Sequence, residues 1–274
     1  IYHYGPTNSG KTYHALEALK SAQNGVYCAP LRLLAWEIYE NMLDSGMQAR
    51  LLTGEEVFGD DNATHTSCTV EMCDLFEAEY DVAVLDEIQL MGEAGGDRGW
   101  AWTRALLGLY ANEIHICGDE TVKKLVTHIA KKCGDDIEFR KYKRLCPLRM
   151  DNPITNYSDI QPGDCIVGFN RNDLYQVKNE IERNTSYKCA LIYGQLPPEN
   201  RRTQSRLFNN QGSGYDVLVS SDAIGMGLNL NIRRIVFHSV SKYDGFRRRN
   251  LTNTEILQIA GRAGRFKMYD EGYV

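Results

Sequence analysis

The chain has 274 residues, of which 43% are hydrophobic and 24% charged, and its formal net charge is −5. That length allows two domains of ordinary size. No segment is low in complexity or internally repeated, and no run approaches the roughly 18 apolar residues that a membrane-spanning helix requires. The acidic balance argues against an indiscriminate nucleic-acid binder but leaves room for a basic channel; the local basic runs, RKYKR at 140–144 and RRR at 247–249, read first as solvated faces. None of the eight cysteines forms a C-x-x-C pair. They are expected to be buried, reduced thiols of an intracellular protein, not zinc ligands or disulfides.

The opening IYHY (1–4) reads as the end of a strand running into a glycine loop. A parallel strand is rarely the first element of a protein, so the chain is expected to be a fragment. Strands are predicted over 25–30, 49–54, 64–72, 80–89 and 113–119, and helices over 31–46, 99–109 and 121–134, the last closed by Gly134. The stretch 145–157 carries two prolines and no clear period, which predicts a linker or domain edge. A second series follows, with strands over 164–169, 188–194, 215–222 and 233–240. Its helices are predicted over 171–184, 197–210 and 252–266, the last capped by Thr252 or Asn253. Strand–helix alternation implies a mainly parallel sheet covered on both faces, and two such series imply two α/β lobes.

GPTNSGKT (5–12) fits G-x-x-x-x-G-K-[ST] between a predicted strand and a predicted helix. Gly5, Thr7, Asn8, Ser9 and Gly10 would turn backbone N–H groups onto phosphates. Lys11 would reach the β/γ-phosphates, and the Thr12 hydroxyl would bind Mg²⁺. VAVLDEIQ (82–89) ends a buried strand in acids: Asp86 would hold the same Mg²⁺ and Glu87 would orient and deprotonate an attacking water. Thymidine-kinase-like enzymes also combine such a loop with a D-E-x-Q strand, so these residues leave both a nucleoside kinase and a helicase-type ATPase open. The kinase type has a zinc-binding cysteine cluster that the spacing here does not show.

In the second series, QIAGRAGRF (258–266) places Arg262 and Arg265 three apart, read as one helical face. Two guanidinium groups aimed at a γ-phosphate held by the other lobe would stabilise transition-state charge. LVSSDAIGMGLNL (218–230) ends a strand in a glycine-spaced loop, where Gly225 and Gly227 allow close backbone approach to a ligand.

Taken in order, GPTNSGKT, DEIQ, SDAIGMGLN and QIAGRAGR resemble motifs I, II, V and VI of superfamily 2 helicases of the DExH type. APLRLLAWE (29–37) resembles motif Ia, and TGEE (53–56) and CTVEM (68–72) resemble further strand-contact motifs. GPTNSGKTYHA, DEIQ, RGWAWTRALLGL, DAIGMGLNL and QIAGRAGRF together resemble the mitochondrial degradosome RNA helicases. The resemblance spans essentially the whole chain. It implies two tandem RecA-like lobes, over 1–146 and 147–274, with ATP and Mg²⁺ as cofactors and RNA as partner, DNA remaining open. It also implies a matrix location, no membrane association, and a 3′→5′ exoribonuclease partner. By the same resemblance Gln89 would couple the ATP site to the second lobe and RNA, Gln258 would contact the γ-phosphate, and Gly227 and Asn229 would lie at the ribose. Pro30, Arg32, Thr53, Gly54, Thr69 and Ser221 would grip the sugar-phosphate backbone. Three features depart from the wider pattern: Gln89 in place of His or Asp, Ile259 in place of an arginine, and CGDE (117–120) in place of Ser-Ala-Thr. The expected activity is ATP-driven translocation on RNA and unwinding of it, with a cleft between lobes closing on ATP; an ATP-gated RNA clamp is the rival.

Overall fold

In the computed structural model, which describes residues 1–75, 78–225 and 228–274, the chain divides into two compact units, Ile1–Arg144 and Leu145–Val274. The first contains β1 (Tyr2–Tyr4), α1 (Lys11–Ser21), β2 (Gly25–Ala29), α2 (Arg32–Asp44), β3 (Ala49–Leu52), β4 (Val57–Phe58), β5 (His65–Thr69), β6 (Tyr80–Leu85), α3 (Gly99–Gly108), β7 (Ala111–Gly118), α4 (Lys123–Cys133) and β8 (Phe139–Lys141). Its eight strands lie in the order β4-β3-β5-β2-β6-β7-β1-β8, all pairs parallel except β3 with β4.

The central strands are apolar on both faces because both are covered. Along β6, Val82 and Val84 pack with Leu19 of α1 and Ile38 and Met42 of α2, whereas Ala83 and Leu85 pack with Ala101 and Trp102 of α3 and Val126 of α4. This is period-two alternation between two buried surfaces, which appears in sequence as a continuous apolar run. Gly134, at φ +79°, closes α4 as the sequence predicts, its N–H returning to the Ala130 and Lys131 carbonyls.

The second unit contains β9 (Leu148–Arg149), β10 (Asp164–Val167), α5 (Arg171–Asn184), β11 (Cys189–Ile192), α6 (Pro198–Asn209), β12 (Val217–Ser220), β13 (Arg234–Phe237), β14 (Ser241–Tyr243), β15 (Arg248–Asn250), α7 (Asn253–Ala260) and β16 (Gly272–Tyr273). Six strands form a parallel sheet in the order β11-β12-β10-β13-β16-β9. Leu174, Val177 and Ile181, on one stripe of α5, pack on Ile166, Leu191, Val217 and Val219. The stretch predicted as a linker contributes the edge strand β9, paired with β16 near the end of the chain. Strands of two residues are too short to display a period.

β14 and β15 form an antiparallel hairpin over the segment that carries RRR. Its root is tied to α7: Glu255 accepts from Arg249 at 2.8 and 2.9 Å and pairs with Lys242 at 2.7 Å. The same Glu255 completes a capping box with Thr252. Among the described residues, no helix is long and apolar enough to cross a membrane.

One ion cluster pins the second sheet. Arg234, 8% exposed, donates to both carboxylate oxygens of the fully buried Asp164 at 2.9 and 2.6 Å and to Asp151 at 2.9 Å. Arg234→Met would leave Asp164 charged and buried. It is expected to destabilise the protein by about 3–5 kcal/mol, the usual cost of breaking a buried pair from one side. The double variant with Asp164→Asn should recover part of that loss in urea unfolding. Equal stabilities of the two variants would show that the charge, once unpaired, is not the cause.

Candidate functional site

The C-terminal ends of the parallel strands of the first unit carry the predicted ATP residues. β1 runs directly into the loop at Gly5–Gly10, and α1 starts at Lys11. The turn is made by Asn8 at φ 57° and Gly10 at φ 82°, both left-handed. Gly5 is required for a second reason: a Cβ there would lie 2.6 Å from the Tyr142 carbonyl oxygen. The first turn of α1 carries no acid and no capping side chain, which leaves its N–H groups without a side-chain acceptor, as an anion-binding helix start requires. Ser9 is 3% exposed and its Oγ has no hydrogen-bond partner among the described residues. Lys11 Nζ lies across the loop, donating to the Gly5 and Pro6 carbonyls at 3.3 and 3.2 Å.

Strand β6 delivers Asp86 to this loop, and the Thr12 hydroxyl lies 3.3 and 3.4 Å from the two Asp86 oxygens. Asp86 is 3% exposed and held from three sides. Tyr27 donates its hydroxyl at 2.7 Å, the Glu87 N–H donates at 2.9 Å, and the Trp102 indole donates to the Asp86 carbonyl at 2.9 Å. Tyr27 and Trp102 were missed in the sequence, because they reach Asp86 from β2 and α3 and neither belongs to a local motif.

Glu87 follows in a left-handed conformation, φ 51° and ψ 47°, a costly position for a non-glycine residue that is typical of functional turns. Its carboxylate accepts from the Gln89 amide nitrogen, and the Gln89 amide oxygen accepts from the Asp119 N–H at 3.3 Å. Gln89 thus links Glu87 to the CGDE segment at the end of β7. It fills the space beside Gly118: a Cβ there would meet Gln89 Oε1 and Ile88 Cγ2 at 2.6 Å, so a larger residue would displace the Gln89 amide.

The proposed backbone-gripping residues of this unit line the same edge, on neighbouring strands. Ala29 of β2 is paired with Thr69 of β5, and Leu52 of β3 with Cys68, so Pro30, Thr69 and Thr53 end three adjacent strands at one level. Thr53 folds the TGEE turn, its hydroxyl accepting from the Glu55 and Glu56 N–H groups at 3.4 and 3.0 Å. Gly54 is exposed, with nothing near a Cβ placed there. Arg98 buttresses the edge, donating to the Pro30 carbonyl at 2.8 Å and pairing with Glu71 at 2.7 Å. Arg32 forms an ion pair with Glu55.

In the second unit the structure corrects the sequence reading of the arginines. Helix α7 ends at Ala260, so Arg262 and Arg265 lie in the following turn and not on one helical face. By Gly264 the chain has left the helical region altogether, at φ +69°, and it passes so close to Gly272 that a Cβ there would lie 2.6 Å from the Gly272 backbone. Arg262 donates through Nε and Nη2 to the Gly225 carbonyl, the former at 3.1 Å. Arg265 donates to the Asn231 side-chain oxygen at 2.6 Å. A Cβ on Gly225 would lie 4.0 Å from the Gln258 amide carbon. Gly225, Gln258 and Arg262 therefore converge, while Arg265 is directed to the 209–231 loop contacts, where the Asn229 carbonyl accepts from Asn209 at 2.7 Å. Ser221, just past β12, accepts from the Ala223 N–H at 3.2 Å. Gly227 lies outside the described residues.

Residues 1–142 match the model of the DEXQ-box helicase domain of Suv3, and residues 141–267 match the helicase conserved C-terminal domain. The chain belongs to the Suv3 family of DEXQ-box helicases. Its relatives include the mitochondrial DExH-box ATP-dependent RNA helicase DExH16 of Arabidopsis thaliana, 52% identical over 97% of this chain and 46% of that protein. The mitochondrial ATP-dependent RNA helicase SUPV3L1 of Homo sapiens is 47% identical over 100% of this chain and 36% of that protein. The chain thus spans between about a third and a half of the relatives it matches. Among solved structures, Saccharomyces cerevisiae Dbp5 bound to Gle1 and IP6 aligns with a TM-score of 0.70 and 17% identity, over 100% of this chain and 77% of that one. Dbp5 bound to RNA and ADP BeF3 gives 0.67 and 16%, over 99% and 77%. The units are therefore two RecA-like lobes. Family membership removes the support for a nucleoside kinase, and it places Gln89 as the fourth letter of the DEXQ box.

Burial, reinforced by the negative charge of Glu87, raises the Asp86 carboxyl to about 6. A carboxyl whose folded pKa exceeds its unfolded value of about 3.9 is stabilising when protonated and costly when ionised. The cost is therefore complete above about pH 6 and is relieved progressively as the pH falls from 6 towards 4. Asp86→Asn, which cannot ionise, is expected to melt several degrees above the nucleotide-free wild type at pH 8, with the gap narrowing steadily between pH 6 and pH 4. A melting difference independent of pH would show that the carboxylate is not the strained group.

Proposed function

We propose that the chain is the ATP-hydrolysing core of a mitochondrial RNA helicase, coupling ATP turnover in its first lobe to movement along an RNA strand. The observation that carries this reading is the single strand edge that holds Lys11, Thr12, Asp86 and Glu87 beside Pro30, Thr53 and Thr69. The loop N–H groups would cradle the phosphates, and Lys11 would exchange the Gly5 and Pro6 carbonyls for phosphate oxygens. Thr12 and Asp86, with the unpartnered Ser9 hydroxyl close in sequence, fit a hard divalent cation, all being oxygen donors. Mg²⁺ bound there would neutralise charge on the β- and γ-phosphates. Glu87 would take the proton of the attacking water, with Gln89 holding its carboxylate in place. Gln258, Arg262 and Arg265 would serve the γ-phosphate from the second lobe, and Asn229 and Gly227 the ribose.

RNA would be gripped through its backbone by Pro30, Arg32, Thr53, Gly54, Thr69 and Ser221, and so without strong sequence preference. The mitochondrial names of the relatives support a matrix location. A 3′→5′ exoribonuclease is the proposed partner, by the family resemblance.

ATP turnover measured with single-stranded RNA, single-stranded DNA and no polynucleotide tests the reading, RNA stimulation being the expected result. Lys11→Ala should abolish turnover. Arg265→Ala should retain ATP binding and slow hydrolysis by about 10³-fold or more, the range measured for arginines of this role elsewhere. Turnover indifferent to RNA would overturn the helicase reading. Stimulation without strand displacement would make the chain an ATP-gated clamp.

The Arg32–Glu55 pair means that an RNA phosphate must displace Glu55 to reach the guanidinium. Glu55→Gln should tighten RNA binding a few-fold at low salt. Arg32→Ala should weaken it and lower the slope of log K against log salt by about 0.7, the share of one phosphate contact on a single strand. Unchanged slopes would remove Arg32 from the interface.

A further inference from the structure

The spacing of the cysteines shows no metal motif, but folding brings three of them together. Cys28 of β2 and Cys68 of β5 are directly paired residues on adjacent parallel strands, and their sulfurs lie 3.9 Å apart. The 3₁₀ turn Val70–Met72 then returns the chain so that the Cys73 sulfur joins them, all three Sγ atoms lying within 4.8 Å of one another. The three residues are 0%, 0% and 3% exposed, in a core that includes Val26, Val70, Leu85 and Trp102.

Two thiolates on one metal ion, each with a metal–sulfur bond of about 2.3 Å, lie about 3.8 Å apart in tetrahedral and about 4.0 Å apart in trigonal coordination. The Cys28–Cys68 separation falls within that interval. A disulfide requires about 2.05 Å and only two of the three sulfurs. Charge selects the ion. Three thiolates in an apolar core are tolerable only if neutralised, and Arg104, whose guanidinium donates to the Cys73 carbonyl at 3.5 Å, supplies one positive charge beside them. A divalent ion supplies the other two, whereas a monovalent ion leaves a net buried charge. Sulfur ligands exclude Mg²⁺ and Ca²⁺ and favour the zinc class.

We propose that Cys28, Cys68 and Cys73 form a buried three-thiolate site for one divalent thiophilic ion of the zinc class. The ion would tie the ends of β2 and β5 to the segment after the 3₁₀ turn. Cys28 stands two residues before Pro30 and Cys68 one before Thr69, so the site lies directly behind the edge assigned to RNA. Its existence does not depend on that assignment.

The test uses the whole chain, reduced and stripped of metal with a chelator. Zn²⁺ is titrated against a chromophoric competitor, and Cd²⁺ is added as an optical probe of thiolate ligation. One ion per chain is expected, with ultraviolet thiolate-to-cadmium absorption and a rise in melting temperature on binding. Cys73→Ala, which lies outside the sheet, should lose at least tenfold in affinity while retaining the wild-type circular dichroism spectrum. Cys133→Ser, at the exposed cysteine, should bind as the wild type does. Should Cys73→Ala fail to fold, the wild-type titration still decides. A folded wild type with eight reduced thiols that takes up no Zn²⁺, or whose Cd²⁺ complex lacks thiolate absorption, overturns the proposal. So does binding abolished by Cys133→Ser, or a Cys28–Cys68 disulfide in protein alkylated at cell lysis.

Discussion

The first lobe is organised around a carboxylate that its surroundings do not favour. Asp86 sits almost wholly buried at the end of β6, next to a second acid, and its ionised form is costly there. Tyr27 from β2, Thr12 from α1 and Trp102 from α3 converge on it, so three elements that share no local sequence are held in register by one residue. The loop between β1 and α1 faces this group across the strand edge, and Glu87 is pushed into a left-handed turn immediately after it. A cation bound beside Asp86, as proposed above, would relieve that cost. The affinity of such a site for its ligand is obtained at the expense of the empty state.

The order of strands and helices could be read along the chain because their signals are local. The glycine loop is contiguous, the acids follow an apolar run, and Gly134 ends its helix where a left-handed residue must stand. Residues supplied by other elements could not be read in that way. Tyr27 looks like any aromatic of a buried strand until the pairing of β2 with β6 places it beside Asp86. Trp102 looks like core, which it also is. Ala-Gly-Arg-Ala-Gly keeps a spacing that also suits a helix, so the sequence alone puts both arginines on one face. The left-handed φ of Gly264 and its close passage by Gly272 come from a segment eight residues further on. The cysteines show the converse limit: motif spacing measures distance along the chain, and sheet register, which brings Cys28 beside Cys68, measures it across strands.

The two lobes also differ in what holds them. The first depends on apolar layers on both faces of its sheet, whereas the second adds an ion cluster around Arg234 that joins β10, β13 and the segment preceding them. The hairpin of β14 and β15 is anchored through Glu255, which serves both a capping box and two basic side chains of the hairpin. The helix that leads to Arg262 and the basic hairpin are therefore joined through one acidic side chain.

The bridge made by Gln89 sets a rule for the fourth letter of the box. Its two ends face groups of opposite demand: a carboxylate that only accepts and a main-chain amide that only donates. The side chain there must therefore offer a donor to one and an acceptor to the other, at the reach of an amide on two methylenes. An acid can answer only the amide and would repel Glu87; a lysine can answer only the carboxylate. The orientation of the amide is consequently not free: the side chain at 89 is tied to the main-chain N–H that stands just past the end of β7.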